Sequence, residues 1–131
     1  MREIKFRAWE TGEEIMHPNV TNGVYQDPDE IIDFDFVLGL ERFKVMQYTG
    51  LKDKDGTEIF EGDIVSTDLS RPFLIVEFRN GAFMYQCHHN GQDYYDFMEP
   101  SYEEIKEFTK YHKVIGNIYE NPELLEVEAN A

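Results

Sequence analysis

Apolar and polar residues alternate along several short stretches of this chain, which is the pattern of β-strands with one buried face. At the start, Ile4, Phe6 and Ala8 would share one face of a strand, and the residues between them would share the other. Similar stretches predict further strands at residues 43–48, from residue 64, at 73–79, at 93–98 and at 114–119. Residues 66–72 are polar and predict a turn, and Gly116 predicts a bulge or a close backbone approach in the last strand. Pro122 then predicts the start of a short capped turn or helix. The pattern therefore predicts a mainly β protein.

Short segments that contain Gly separate these stretches and predict tight turns, because Gly and Asn adopt positive φ angles with little strain. The predicted turns are Lys54-Asp55-Gly56, Glu61-Gly62-Asp63, Asn80-Gly81 and Asn90-Gly91. The first two lie in one segment, Tyr48 to Val65, together with the start of the strand that follows them.

The Asn80-Gly81 turn also predicts a strand register. A two-residue turn there pairs Arg79 with Ala82 and Glu77 with Met84. The same register places Phe78 opposite Phe83 and Val76 opposite Tyr85, so these four side chains would form one core layer. Successive hairpins of this kind predict a small, strongly curved antiparallel sheet or barrel.

Clear helical spacing is found near residues 101–112. Ser101 and Glu104 have the spacing of a capping box, and apolar residues then recur at helical intervals. The predicted fold class is therefore α+β, mainly β, with one C-terminal helix near 101–112. A chain of 131 residues has the size of one domain, so a single domain over 1–131 is expected.

Residues 17–42 are weakly patterned, and two interpretations of their second half stay open. Asp27 or Asp29 would cap a short helix through residues 30–34, whereas residues 32–36 also alternate as a strand would. The densest acidic cluster of the chain lies here, at Asp27, Asp29, Glu30, Asp33 and Asp35. Paired carboxylates serve metal and acid–base chemistry, but no orienting partner is near in sequence, so a solvated acidic surface is favoured.

The net charge of the chain restricts the kinds of partner that it can bind. The chain has 27 acidic and 12 basic residues, which gives a net charge of −15. Such a surface repels phosphate, so direct binding to nucleic acid or to an anionic membrane is disfavoured. The single cysteine, Cys87, excludes an internal disulfide and suits a reducing compartment. With no apolar run of about 20 residues and no signal peptide pattern, a cytoplasmic location is expected.

Cys87, His88 and His89 are the candidate metal-ligating residues. On a strand, Cys87 and His89 would share a face and His88 would lie on the other. Zinc takes three or four such ligands, so His17 or His112 would have to complete the site. Neither C-x-x-C nor H-x-x-x-H spacing is present. No catalytic constellation and no cofactor-binding motif are recognisable, so no cofactor is expected.

Three stretches, in this order, carry a family resemblance: MREIKFRAW at 1–9, MQYTGLKDKDGTEIFEGDIV at 46–65 and VIGNIYENPELL at 114–125. They resemble the YopX family of phage and prophage proteins and span nearly the whole chain. The resemblance implies a viral or prophage origin and a bacterial cytosolic setting, and it implies no chemistry and no catalytic residues. None of the three stretches falls between Thr11 and Arg42.

Three functions are compatible with these observations. The favoured one is a small, acidic, non-enzymatic protein that acts by protein–protein contact or self-assembly, as a homo-oligomer or with a host or phage protein. The second is an acidic mimic of nucleic acid that binds a host DNA- or RNA-binding protein. The third is a metal-dependent hydrolase that uses His88, His89 and an acidic partner.

Overall fold

The protein is represented by a computed structural model that describes residues 3–27, 30–67, 70–79, 82–89, 92–97 and 112–125. The fold is mainly β, with a strongly curled antiparallel half-barrel sheet and a short C-terminal helix, so the predicted fold class is confirmed. The chain divides into two compact units, Met1–Tyr48 and Thr49–Ala131. One domain over 1–131 stays a prediction.

Twelve regular elements lie in the described residues. The first unit contains β1 (Phe6–Glu10), β2 (Ile15–His17), β3 (Val24–Asp27), β4 (Glu30–Ile32), α1 (Phe34–Gly39) and most of β5 (Phe43–Lys52). The second contains β6 (Glu58–Phe60), β7 (Asp63–Thr67), β8 (Ser70–Arg79), β9 (Ala82–His89), β10 (Gln92–Phe97) and β11 (His112–Asn117). No helix among the described residues has the length and apolar character that crossing a bilayer requires.

In the first unit, β1 pairs antiparallel with both β2 and β5, while β3 and β4 form a separate two-stranded sheet. Ala8, on the face of β1 predicted to point inward, is fully buried. It belongs to a core with Val20, Val24, Val37 and Phe43. Helix α1 contributes Val37 to this core, which fixes the inward side of the helix.

The structure corrects both interpretations of residues 30–36. The helix starts later than predicted, and its N-cap is Asp33, whose Oδ1 accepts a hydrogen bond of 3.0 Å from the backbone N–H of Phe36. The alternating run does not continue as a strand, since β4 ends at Ile32. An N-cap is decided by a side-chain oxygen reaching the N–H of the first turn, and Asp33 satisfies that condition here.

In the second unit, five antiparallel strands form one sheet in the order β10-β9-β8-β7-β11. The register of β8 and β9 is the predicted one in all four pairs. The turn residues themselves, 80–81, lie outside the described residues, as do 90–91, but His89 pairs with Gln92 as a two-residue turn requires. These local predictions are therefore confirmed by the strands on either side.

The core of the second unit contains Val76, Phe83 and Tyr85, as predicted, together with Ile59 and Val65. Phe78 differs from the prediction, because it is exposed even though its ring contacts that of Phe83 edge-on at 5.0 Å. It lies one residue from the end of β8.

Two further boundaries differ from the sequence analysis. Residues 66–72 were expected to form a polar turn, but β7 runs to Thr67 and β8 begins at Ser70, and these two residues pair. The predicted helix near 101–112 lies outside the described residues except for its last residue, His112, which instead begins β11. A helical turn at 123–125 follows β11, where Pro122 at the start of a short helix was expected.

Backbone angles confirm the predicted turns at Gly56 and Gly62, whose φ angles are +84° and +88°. Among the described residues other than Gly, positive φ occurs only at Glu14, at +54° in the turn between β1 and β2. A side chain that begins with Cβ is strained in this left-handed region, whereas Asn tolerates it. Glu14 therefore carries a local cost in stability.

We expect Glu14→Asn to raise the free energy of unfolding by roughly 0.5–1 kcal/mol in urea denaturation, because it relieves that strain. Glu13→Asn is the matched control, since Glu13 is an exposed neighbour in the same turn and loses the same charge. Equal shifts in the two variants would mean that charge, rather than backbone strain, is responsible.

Candidate functional site

Buried polar side chains mark the place where the second and third family stretches meet. Among the described residues these are Thr49, Asp53, Asp63 and Asn117, all in the second unit. A buried polar group destabilises a protein unless it is hydrogen-bonded, so the partners of these four residues define what the site does.

Asp53 organises the first turn. Its Oδ1 accepts hydrogen bonds of 2.9 Å from the backbone N–H groups of both Asp55 and Thr57. Its own N–H donates to the carbonyl of Thr57 at 2.8 Å, which closes the turn around Gly56. The Asp side chain thus substitutes for backbone acceptors within the turn, as Asp does in many turns.

The second oxygen of Asp53 reaches a distant strand. Its Oδ2 accepts a hydrogen bond of 2.9 Å from the N–H of Val114 in β11, 61 residues further along the chain. Beside it, the N–H of Lys54 donates to the carbonyl of His112 at 2.9 Å. One buried carboxylate therefore joins the turn before β6 to the last strand of the sheet.

These contacts keep Asp53 ionised. Burial by itself raises the pKa of the carboxyl group, but the N–H groups of Val114, Thr57 and Asp55 act in the opposite direction. With a further contribution from the positive charge of Lys113, the net effect lowers the pKa of Asp53 below its ordinary value of 3.8. Hydrogen bonds donated to the charged form outweigh desolvation here.

The second turn is held in the same way. Asp63 Oδ2 accepts a hydrogen bond of 2.7 Å from the N–H of Phe60. The N–H of Gly62 donates to the carbonyl of Val76 in β8 at 2.8 Å, and the carbonyl of Gly62 accepts from Ile118 at 2.9 Å. The turn is thereby fixed between β8 and the end of β11.

Asn117 and Asn121 close the end of β11. Asn117 Oδ1 accepts from the N–H groups of Tyr119 at 3.0 Å and Glu120 at 2.8 Å, and Asn121 Oδ1 accepts from the N–H of Asn117 at 3.2 Å. A Cβ atom on Gly116 would lie 2.5 Å from Asn121 Oδ1. The register also shifts between Val114 and Gly116, so of the two alternatives expected at Gly116 the bulge is the one confirmed.

Thr49 completes the set, because its Oγ1 donates a 2.7 Å hydrogen bond to the carbonyl of Ile59 and ties the end of β5 to β6. Each of the four residues thus bonds to the backbone of a turn or strand. Chemically, this arrangement fixes loops in place, and none of these contacts positions a nucleophile beside a base.

A second polar cluster lies in the first unit. His17 Nε2 is 2.9 Å from Glu10 Oε1, and Arg42 Nε is 3.8 Å from Glu10 Oε2. The ring of Phe43 packs against both side chains, edge-on to His17 at 5.8 Å and beneath Arg42 at 5.0 Å. The cluster ties β1, β2 and the start of β5 together. His17 therefore has a carboxylate partner in its own unit.

The candidate metal ligands all lie on β9. Cys87 is paired with Leu74 and Tyr94, His88 with Asp93, and His89 with Gln92. These three residues are therefore on a strand, with backbone positions defined by the pairing of β9 with β8 and β10. Their side chains lie outside what the structure describes, so zinc binding at these residues stays a prediction.

The remaining candidate, His112, is in β11, where its ring is stacked on the ring of Tyr85 with 5.6 Å between centroids. The residues with described side chains include no group of three or more His, Cys, Asp or Glu that could hold a metal ion. Of the acidic cluster at 27–35, Asp33 caps α1 and Asp35 is exposed in its first turn.

A family model described as YopX protein matches residues 5–126. The chain belongs to the YopX family. It is also similar to a solved structure, the crystal structure of protein EF1440 from Enterococcus faecalis, with 31% sequence identity and a TM-score of 0.54. That similarity covers 95% of this chain and 99% of the other. No curated protein matches this chain.

The YopX stretches therefore carry a structural role that sequence analysis missed. Asp53, Asp63 and Asn117 lie in these stretches, and their side chains hold the two turns and the end of β11. The local sequence indicates only the turn-forming role of Asp53, because an Asp two residues before Asp55-Gly56 is typical of an Asx turn. Its bond to Val114 has no local signal.

We expect Asp53→Asn to lower the free energy of unfolding at neutral pH by about 2–3 kcal/mol, because the amide offers one acceptor oxygen where the carboxylate offers two. Asp55→Asn is the control: it makes the same change at an exposed position of the same turn and should have a much smaller effect. Urea denaturation measures both variants, and an equal loss in the two would remove the special role of Asp53.

The lowered pKa of Asp53 also predicts a pH dependence. A carboxyl group with a depressed folded pKa stabilises the protein above its unfolded pKa, and that contribution is lost as the pH falls through the folded value. The stability gap between the wild type and Asp53→Asn should be constant above about pH 5 and narrow below about pH 4. Denaturation at a series of pH values checks this, and a gap that widens in acid would contradict it.

Proposed function

We propose that this YopX protein is a small acidic protein of phage or prophage origin that acts in the bacterial cytoplasm by protein–protein contact, without catalysing a reaction. The observation that carries the proposal is a set of large apolar side chains on the surface of the first unit. Of the six exposed large hydrophobic residues among those described, five are in that unit: Ile4, Ile15, Ile31, Phe36 and Leu38.

Isolated apolar residues are common on protein surfaces and need no explanation. Phe36 and Leu38 differ because both are on the six-residue helix α1, with 61% and 54% of their surfaces accessible. Aromatic side chains are enriched at the centres of protein interfaces, where burying them supplies much of the affinity. The surface around α1 therefore supports a contact function better than a purely structural one.

The buried carboxylates do not favour the hydrolase alternative. Asp53 and Asp63 accept hydrogen bonds from backbone N–H groups, which suits the support of turns. An acid–base pair would instead need groups placed within hydrogen-bonding reach of a substrate. A contact function requires only the exposed surface and a stable scaffold beneath it.

The test measures assembly and partner binding together. Light scattering determines the mass of the purified protein, and a pull-down from phage-infected bacterial cells recovers bound proteins. We expect self-association or a specific partner that is lost in the double variant Phe36→Ser/Leu38→Ser. The matched control, Ile4→Ser/Ile15→Ser, removes two other exposed apolar side chains and should retain binding. A monomer with no recovered partner would contradict the proposal.

A further inference from the structure

Helix α1 is anchored to the first unit by one side. Val37 is fully buried, and the ring of Phe34 lies 4.8 Å from the ring of Phe6, centroid to centroid. Leu40, just after the helix, also packs against the core. These three contacts fix the rotation of the helix about its axis, so the opposite side has a defined outward direction.

Four residues form that outward side, which we name the α1 face: Asp35, Phe36, Leu38 and Gly39, all exposed. At about 100° per residue, Asp35 and Gly39 lie about 160° around the helix from Val37. Phe36 and Leu38 lie about 100° from Val37, one in each direction. Gly39 has no side chain, and a Cβ added there would meet no atom within 4 Å. An incoming group can therefore settle over Gly39 and contact Phe36 and Leu38 on its two sides.

The charge around this face determines which partner fits it. Residues 18–41 contain six acidic residues and no Lys, Arg or His, which is 24 residues of chain without a positive charge. Asp33 and Asp35 are exposed beside the apolar side chains. Helix α1 also has an acidic residue in its first turn and no basic residue in its last.

A second copy of the same face fits poorly, since it would bring Asp33 and Asp35 of one copy close to the same two carboxylates of the other across an apolar contact. Like charges held close together in a partly desolvated interface are repelled and suppress that pairing. Phosphate groups are repelled for the same reason. A partner surface that is both apolar and basic complements the apolar side chains and the negative charge of the α1 face at once.

We propose that the α1 face docks a basic amphipathic segment of a different protein, with apolar side chains that cover Phe36, Gly39 and Leu38 and Lys or Arg side chains that meet the surrounding carboxylates. This inference rests on the proposed contact function and names the kind of partner. Apolar burial supplies the affinity, and the charges supply the orientation and the choice of partner.

Fluorescence anisotropy with labelled peptides tests this directly. The first probe is a short helical peptide with Leu on one side and Lys on the other. The second replaces each Leu with Ser, and the third replaces each Lys with Glu. The wild-type protein should bind the Leu/Lys probe roughly tenfold more tightly than the Ser/Lys probe, since burial of even one Leu side chain is worth that much. The Leu/Glu probe should not bind.

Two variants locate the contact on α1. Gly39→Gln places a neutral side chain in open space over the centre of the face, and Gly12→Gln makes the same change in the turn after β1, also with nothing within 4 Å. The preference for Leu/Lys over Ser/Lys should be lost in Gly39→Gln and kept in Gly12→Gln. Phe36→Ser should also lose the preference, and Ile4→Ser should keep it. Thermal denaturation verifies that each variant is folded.

Other results would overturn the inference in distinguishable ways. Equal affinity for the Leu/Lys and Ser/Lys probes would mean that charge alone attracts basic peptides, as in mimicry of nucleic acid. A preference that survives Gly39→Gln would place the contact elsewhere. A dimer that Gly39→Gln dissociates would identify a second copy as the occupant. In that last case the proposed contact function would stand and only the basic partner would be wrong.

Discussion

The second unit depends on the cost of placing one ionised carboxylate out of water. A buried charge is tolerated only where donors replace its hydration, and Asp53 is surrounded by N–H groups from Asp55, Thr57 and Val114. Two of these donors belong to the same turn, and the third belongs to a strand 61 residues away. The carboxylate therefore has all of its hydrogen-bond donors only when the turn and β11 are both in place. The turn and the attachment of the last strand therefore stabilise each other, because each supplies N–H donors to the same carboxylate.

The neighbouring contacts extend this constraint. Once β11 lies beside β7, the carbonyl of Gly62 can accept from Ile118, and Asn121 can close the end of β11 over Gly116. Gly116 is required at that point because a Cβ atom would occupy the position of the Asn121 side chain. The YopX stretches at 46–65 and 114–125 are thus complementary, because each supplies hydrogen-bond donors or acceptors to groups of the other. This relation explains why a chain without a recognisable catalytic constellation still holds such specific polar residues in buried positions.

Local rules predicted a large part of the fold and little of the site. The β8–β9 register followed from the two-residue turn and the alternation of side chains on both strands, which depend only on neighbours in sequence. Thr67 and Ser70 were predicted to lie in a turn and instead lie in strands, because polar residues in a paired strand resemble loop residues in composition. The N-cap of α1 was assigned to the wrong Asp, because several Asp residues are equivalent in sequence and differ only in which one reaches a free N–H.

The hydrogen bond between Asp53 and Val114 could not be predicted by any local rule, since it depends on tertiary contact. The exposure of Phe78 was missed for the same reason, because alternation indicates a face and does not tell whether anything covers it.

The two units use their carboxylates differently, and that difference bears on function. In the second unit the carboxylates of Asp53 and Asp63 are buried and bonded to the backbone, so these groups are committed to the fold. In the first unit, Asp35 on α1 and the N-cap Asp33 both remain exposed near Phe36 and Leu38, so their charge acts on whatever approaches even though Asp33 also caps the helix. The apolar area of one short helix is small, so alone it would bind many surfaces weakly. Charge alone would attract any cation and would be screened within about 8–10 Å at physiological salt. Together, the apolar side chains and the carboxylates favour a partner whose apolar and basic groups have the matching spacing. Neither property alone would select such a partner.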